Sequence, residues 1–174
     1  MDLKVNAKKA YAYTGGRAFD QTLPAVVFIH GAEHDHCVWV LQSRYLAHHG
    51  RGVLAVDLPG HGRSEGPPLE SVEAMADWIV ALLDAAGVKQ AALVGHSMWA
   101  LVAVECAARH PERVTRIALI GIAYPMRVSP ELHDAKRTTS RSPRTWSTSG
   151  RIRPMHTTRA TRVRVSGSSA RTCA

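Results

Sequence analysis

Four short apolar runs, each ending at glycine or a polar residue, constrain the fold of this chain more than any other feature. Helix-like stretches separate them, and the strand-like runs are Ala25–Gly31, Gly52–Gly60, Ala91–Ser97 and Arg116–Ala123. Continuously apolar strands are typical of parallel sheets buried on both faces, and the intervening helices return each strand through a right-handed crossover. We therefore predict an α/β fold, a mostly parallel sheet with helices on both faces.

The predicted helices differ in how much of their surface is apolar. They are Cys37–His49, Glu70–Gly87 and Met98–His110, and a short antiparallel hairpin over Leu3–Thr14 precedes them. In Glu70–Gly87 acidic residues lie opposite an apolar stripe, so one face should meet water. Met98–His110 is apolar nearly all round, so we expect it to be covered on every side.

Charge divides the chain into two parts. Residues 1–134 carry 12 Lys plus Arg against all 14 Asp plus Glu, a net charge of −2, whereas residues 135–174 carry ten Lys plus Arg and no acid, a net +10. The second part is rich in Ser, Thr and Arg and has almost no contiguous apolar run, so we expect it to be disordered by itself. The sequence predicts an incomplete domain at 1–134 and a basic tail at 135–174.

Several kinds of protein are excluded by the pattern. The apolar runs are far shorter than the roughly 20 residues of a membrane span, and the N-terminus lacks the apolar stretch of a secretory signal. We expect a cytoplasmic protein that does not enter membranes. Potential metal ligands cluster in HDHC at His34–Cys37, but neighbours on one short loop rarely complete a tetrahedral site. No metal is predicted.

The strongest chemical signal is GHSMW at Gly95–Trp99, between a predicted strand and a predicted helix. Such a turn presents a serine hydroxyl above the carboxyl ends of a parallel sheet, where ligands bind in these folds. It also places Ser97 at a helix N-terminus, whose unpaired amides favour developing negative charge. Ala32 follows the first core strand, so the backbone amides of Ala32 and Met98 are predicted to converge as an oxyanion hole.

Three motifs together resemble the α/β-hydrolase superfamily, in particular its esterase-like and lipase-like members. They are HG at His30–Gly31, DLPGHGRS at Asp57–Ser64 and GHSM at Gly95–Met98, in the family's order and at family-like intervals. The resemblance covers about residues 26–124. It implies that Ser97 is the nucleophile toward a small-molecule ester or other acyl substrate, with no cofactor. His61 and His96 are expected to serve the shape of the loops rather than proton transfer.

The partners that Ser97 needs are not found. A serine hydroxyl is a weak nucleophile without a base and a group that orients it, and in this family acid and histidine follow the serine in that order. The residues of these types after Ser97 are Glu105, His110, Glu112, Glu131, His133, Asp134 and His156. Glu105, His110 and Glu112 lie on or just after the predicted helix that follows the elbow. His133 and Asp134 are adjacent and cannot come from separate strand ends, and His156 is in the basic tail. No triad acid or histidine is identified, and catalysis is predicted to be impaired or absent.

Trp99 is a second departure, because the family has a small residue there, most often glycine. An indole at this position is expected to overpack by roughly 1 to 3 kcal/mol or more, or to twist the elbow and misplace the serine oxygen.

The loss of acids, apolar periodicity and family resemblance after about Asp134 predicts a truncated or frameshifted hydrolase. If the tail is unstructured, the last strand becomes an apolar edge that pairs with other chains. One alternative is a non-catalytic remnant or interaction protein whose basic tail binds a polyanion by salt-sensitive contacts. Nucleic acid is not the expected partner, because Trp146 is the only aromatic residue of the tail and gives a poor stacking platform. Another chain that supplies acid and histidine is a further alternative, and the oligomeric state stays open.

Overall fold

A six-stranded sheet organises the chain. The structure is a computed structural model that describes residues 1–122. Its strands are β1 (Asp2–Val5), β2 (Lys8–Tyr13), β3 (Ala25–Ile29), β4 (Gly52–Val56), β5 (Ala91–His96) and β6 (Val114–Ile120), in the order β1-β2-β4-β3-β5-β6. Strands β3 to β6 are parallel, and the β1–β2 hairpin joins β4 in the antiparallel sense. The predicted fold class and the hairpin are confirmed.

Three α-helices lie within the predicted helical segments. They are α1 (Val40–His48), α2 (Val72–Ala85) and α3 (Ala100–Arg109). Short 3-10 turns precede α1 at His36–Trp39 and α3 at Ser97–Trp99. The Ser71 hydroxyl caps α2 by accepting a hydrogen bond from the Ala74 N–H, the usual role of serine at this position. Within residues 1–122 no helix is both long and apolar enough to cross a bilayer.

The two faces of the sheet bury separate apolar clusters, as continuous apolar strands predict. One cluster joins alternate residues of β3 and β4 to α2 and α3, and the other joins the remaining residues of these strands to α1. The apolar stripe of α2 is buried as expected. The prediction that α3 is covered on every side is wrong: Val104 is 38% exposed. This turn of α3 is therefore partly open to solvent.

Strand β6 is the outer strand of the described sheet. Its side chains are exposed to an unusual degree for an apolar parallel strand, with Ile117 at 42%, Leu119 at 38% and Ile120 at 45%. Among residues 1–122 no strand pairs with its outer edge. Exposed apolar edges are templates for pairing with other chains, so we expect this strand to promote aggregation.

Charges on β6 are expected to keep the chain in solution. The double variant Ile117→Lys with Leu119→Lys should raise the soluble fraction severalfold on expression, since edge lysines oppose strand pairing. Val27→Lys, in a side chain with no exposure on a central strand, should lower it. The soluble fraction and the sedimentation profile report both effects. A native chain that stays monomeric at high concentration and melts in one sharp transition would contradict this expectation.

Candidate active site

Ser97 lies in a strained turn between β5 and α3. Its φ is +58°, in the left-handed region that residues other than glycine rarely adopt. The residue begins the 3-10 turn that leads into α3. Strain of this kind persists only where the surrounding structure holds it, and it clusters at functional sites. The elbow expected from GHSMW is therefore present as a backbone feature.

Gly95 is required because the elbow returns closely against its own strand. A Cβ at this position would stand 2.5 Å from the Cα of Ala100 and 2.9 Å from the carbonyl oxygen of Trp99. Both are backbone atoms, so neither can rotate away. The glycine of GHSMW allows this close approach of the α3 backbone to β5.

The ends of β3 and β5 lie side by side at the carboxyl edge of the sheet. Ile29 pairs with Gly95, so the chain that leaves β3 continues beside the elbow. Ala32 and Met98 are both half-buried there, and Glu33 after Ala32 has a φ of +60°. The topology brings the loop that carries Ala32 to the elbow, and the role of the two amides as oxyanion donors stays a prediction.

The indole of Trp99 is accommodated in the core and does not twist the elbow. The residue is 8% exposed and belongs to the cluster between the sheet, α2 and α3. Ser97 keeps its positive φ beside it. The unfavourable effect of the indole lies elsewhere: its Nε1 is buried and has no hydrogen-bond partner within residues 1–122. A buried donor left unpaired costs about 1 to 3 kcal/mol.

Trp99→Phe is expected to leave the free energy of unfolding within about 1 kcal/mol of the native value or to raise it, because it removes the unpaired donor and keeps an aromatic ring. Trp99→Ala should lose about 3 to 5 kcal/mol, since it leaves a cavity. Trp78 is a matched control: it is buried in the same cluster, but its Nε1 is not among the orphaned buried donors. Trp78→Phe should therefore only lose stability. Urea denaturation measures all three, and a loss of more than about 2 kcal/mol in Trp99→Phe would argue against the unpaired donor.

The carboxylate of Asp57, directly after β4, is the centre of the DLPGHGRS loop. It is fully buried. Its Oδ1 accepts hydrogen bonds from the backbone N–H of His36 at 2.7 Å and from the Nδ1 of His36 at 2.8 Å, and its Oδ2 accepts from the Arg63 N–H at 2.8 Å. Burial pushes the pKa of Asp57 upward, but the bonds from the His36 ring and from the Arg63 and His36 amides outweigh it and hold the pKa below its ordinary value.

Asp57 thereby ties the loop after β3 to the loop after β4. Sequence reasoning missed this pair, because it placed His36 in a cluster of polar residues on one loop. In the structure the ring of His36 is buried and packs edge-on against Tyr11 at 4.9 Å between centroids. Ser64 holds the loop after β4 against β2: its hydroxyl donates to the carbonyl of Asp57 at 2.6 Å and accepts from the Tyr11 N–H at 2.9 Å.

His30 is a buried structural histidine. Its Nε2 accepts the Leu58 N–H at 3.2 Å, so its Nδ1 carries the proton and donates to the carbonyl of Gly31 at 2.8 Å. Burial lowers the pKa of His30 to about 4, which keeps the ring neutral at neutral pH. Both nitrogens are engaged, so His30 is not available as a base. A nitrogen of His61 contacts the carbonyl of Pro59 at 3.0 Å, in keeping with its expected role in loop shape.

Within residues 1–122 no acid or histidine that follows Ser97 reaches the elbow. His110 comes after all ten residues of α3, a rise of about 15 Å. Its ring lies 3.5 Å from Asp77 and 3.9 Å from Glu112, while Glu105 lies beside Arg109 at 3.8 Å. Four further residues considered as triad partners lie outside the described residues: Glu131, His133, Asp134 and His156. The predicted boundary at residue 134 and the basic tail lie outside them too.

Comparison with known proteins shows the family of the chain. The family model described as the alpha/beta hydrolase fold matches residues 24–149, most of the chain. This protein belongs to the α/β-hydrolase fold family. The match continues past residue 134 to residue 149.

The relatives differ in their activities. An sn-1-specific diacylglycerol lipase of Mus musculus is 36% identical over 115 residues, which are 66% of this chain and 37% of the lipase. Bifunctional epoxide hydrolase 2 of Rattus norvegicus is 35% identical over 101 residues, 56% of this chain and 18% of that protein. The crystal structure of an enol-lactonase from Burkholderia xenovorans LB400 has a TM-score of 0.69 at 28% identity, covering 82% of this chain and 54% of the lactonase. The chain thus spans well under half the length of these two curated relatives.

Proposed function

We propose that this chain carries the nucleophile of a serine hydrolase that acts on carboxylic esters or related acyl bonds of small molecules, and that the reaction is impaired in the chain itself. The observation that supports the nucleophile is the left-handed φ of +58° at Ser97 on the turn between β5 and α3. A strained residue at a helix start above the carboxyl edge of a parallel sheet is the arrangement that exposes a nucleophilic hydroxyl.

The chemistry follows from this position. The Oγ of Ser97 adds to the acyl carbon while a base takes its proton, and the oxyanion accepts hydrogen bonds from the amides of Ala32 and Met98. Departure of the alcohol leaves an acyl-enzyme, and water releases the acid in a second step. The names of the lipase and the enol-lactonase favour an ester, whereas the epoxide hydrolase name shows that the fold alone does not choose the reaction.

Impairment is proposed because none of the acids and histidines that follow Ser97 within residues 1–122 reaches the elbow. His30 has both nitrogens engaged, and His110 is separated from the elbow by the length of α3. A serine hydroxyl without a positioned base is a weak nucleophile at neutral pH.

Reaction with a fluorophosphonate probe tests both parts when free imidazole is added as an external base. We expect slow labelling of the native chain in plain buffer, faster labelling in imidazole, and none in Ser97→Ala, with circular dichroism showing that both proteins are folded. Rapid labelling of Ser97 without imidazole would mean that a base reaches the serine, so the impairment would be wrong. Labelling of a folded chain that imidazole does not raise, or that persists in Ser97→Ala, would overturn the nucleophile.

A further inference from the structure

A cleft of about 780 Å³ lies at the amino edge of the sheet, opposite the edge that carries Ser97. The loop between β2 and β3, the ends of α1 and α2 and the start of β4 line it. We propose that this cleft binds a small organic carboxylate with an apolar body. Its volume falls within the range of about 300 to 1,000 Å³ that is usual for small-molecule sites. The site does not depend on the proposed hydrolase chemistry.

The walls of the cleft are fixed by close contacts of the backbone. A Cβ on Gly15 would stand 2.6 Å from the Cβ of Ala47, so the loop between β2 and β3 rests directly on α1. A Cβ on Gly52 would stand 2.8 Å from the carbonyl oxygen of Asp20, so the same loop also rests on the start of β4. The Gly52 N–H donates a hydrogen bond to the carbonyl of Pro24 at 3.2 Å. The cleft is therefore formed before a ligand arrives, which lowers the entropic cost of binding.

Two arginine side chains on the rim of the cleft are available to an anion. Arg17 and Arg51 both line it and are exposed, and neither guanidinium makes a hydrogen bond or an ion pair with any residue that the structure describes. Their backbones are held in place: the Thr14 hydroxyl donates to the carbonyl of Arg17 at 2.6 Å, and the Arg51 N–H donates to the carbonyl of Leu46 at 3.2 Å. A guanidinium binds a carboxylate through two parallel hydrogen bonds.

The acid in the lining of the cleft is Asp20, and its carboxylate is already engaged. Its Oδ1 accepts hydrogen bonds from the N–H of Thr22 at 2.9 Å and from the hydroxyl of Thr22 at 2.6 Å. Two guanidinium groups therefore face one carboxylate that is bonded within its own loop. This balance of charge favours an anionic ligand over a cation.

The remaining lining favours a ligand with an apolar body. Val53 and Ala86 are buried, and Phe19 and Leu23 are half-buried. Ligand sites typically combine such apolar side chains with a few polar groups that fix orientation. An inorganic anion would leave this apolar surface in contact with water, so an organic carboxylate is the better fit.

Calorimetric titration of the full chain with cinnamate tests the proposal. We expect Arg17→Gln and Arg51→Gln each to weaken binding about fivefold, the effect of one exposed ion pair. Cinnamyl alcohol, which has the same body without the charge, should bind more weakly than cinnamate. Ala85 is exposed and lines the cleft, so Ala85→Trp should fill the space and abolish binding. Arg44→Gln is the matched control, because Arg44 is an exposed arginine of α1 outside the cleft.

A second groove, of about 550 Å³ over β5 and β6, supplies the decisive comparison. Arg51 lines both spaces, whereas Arg17 lines the cleft and Arg116 lines the groove. Weaker binding in Arg116→Gln but not in Arg17→Gln would place cinnamate in the groove and overturn the proposal. So would an unchanged affinity in Ala85→Trp, with circular dichroism showing that the variant is folded, as would the absence of heat from binding at millimolar cinnamate.

Discussion

Asp57→Ala is expected to lower the free energy of unfolding by about 3 to 5 kcal/mol, the range for breaking a buried polar pair by removing one partner. The substitution leaves three donors without their acceptor, two buried ones on His36 and the partly buried amide of Arg63. It also opens the junction between the loops after β3 and β4, so the loop that carries Ala32 should lose hydrogen-exchange protection. The free energy of unfolding of an ordinary domain is about 5 to 15 kcal/mol in total, so this change removes a large part of it.

Asp84→Ala is the matched control. Asp84 also accepts a short hydrogen bond, from Arg113 at 2.6 Å, but its side chain is 65% exposed. Exposed pairs contribute about 1 kcal/mol or less, so the control should stay close to the native protein in urea denaturation. Equal losses in Asp57→Ala and Asp84→Ala would show that burial of the Asp57 network does not set its contribution.

His30 should make the protein lose about 3 kcal/mol of stability as the pH falls from 6.5 to about 4. The pKa of His30 falls from its ordinary 6.5 to about 4 on folding, chiefly through burial. Between these values the unfolded chain binds a proton that the native state does not, so stability declines with falling pH. Protonation would also remove the acceptor of the Leu58 N–H.

His30→Gln should flatten this part of the pH profile, although it is less stable at neutral pH. The pKa of Asp57 is below its ordinary 3.8 in the native state, so its own contribution is present above 3.8 and is lost only as the pH falls through the lower native value. The two effects therefore occupy different pH ranges. Urea denaturation at intervals of pH measures them, and parallel profiles for the native protein and His30→Gln would contradict the assignment to His30.

The order of strands and helices could be predicted because the pattern is strong and local. The runs at Ala25, Gly52 and Ala91 are apolar without alternation, and the observed β3, β4 and β5 begin at these three residues. The predicted ends of the elements are less exact than their order, since β5 stops at His96 and α3 begins only after a 3-10 turn. The exposure of Val104 was not foreseeable, because an apolar residue on a helix says nothing about whether a neighbour covers it.

The site could be predicted where the chemistry is local and was missed where it spans distant residues. GHSMW predicts an elbow because its glycine, its serine and the following helix are consecutive in the chain. The bond between His36 and Asp57 joins residues 21 apart, and no spacing rule connects them. The position of Asp57 directly after an apolar strand is a signal that sequence reasoning could have used, because a carboxylate buried at a strand end needs several donors.

Trp99 has a consequence for how this chain can change over generations. Its indole fills space among core residues, so the neighbours now depend on a large ring. A return to the small residue typical of the family would leave a hole of the kind that costs about 3 to 5 kcal/mol. Glycine and tryptophan codons can differ by a single base, but a glycine at position 99 would need neighbouring residues to grow at the same time. A glycine at position 99 therefore calls for a repacked core between α2 and α3 as well.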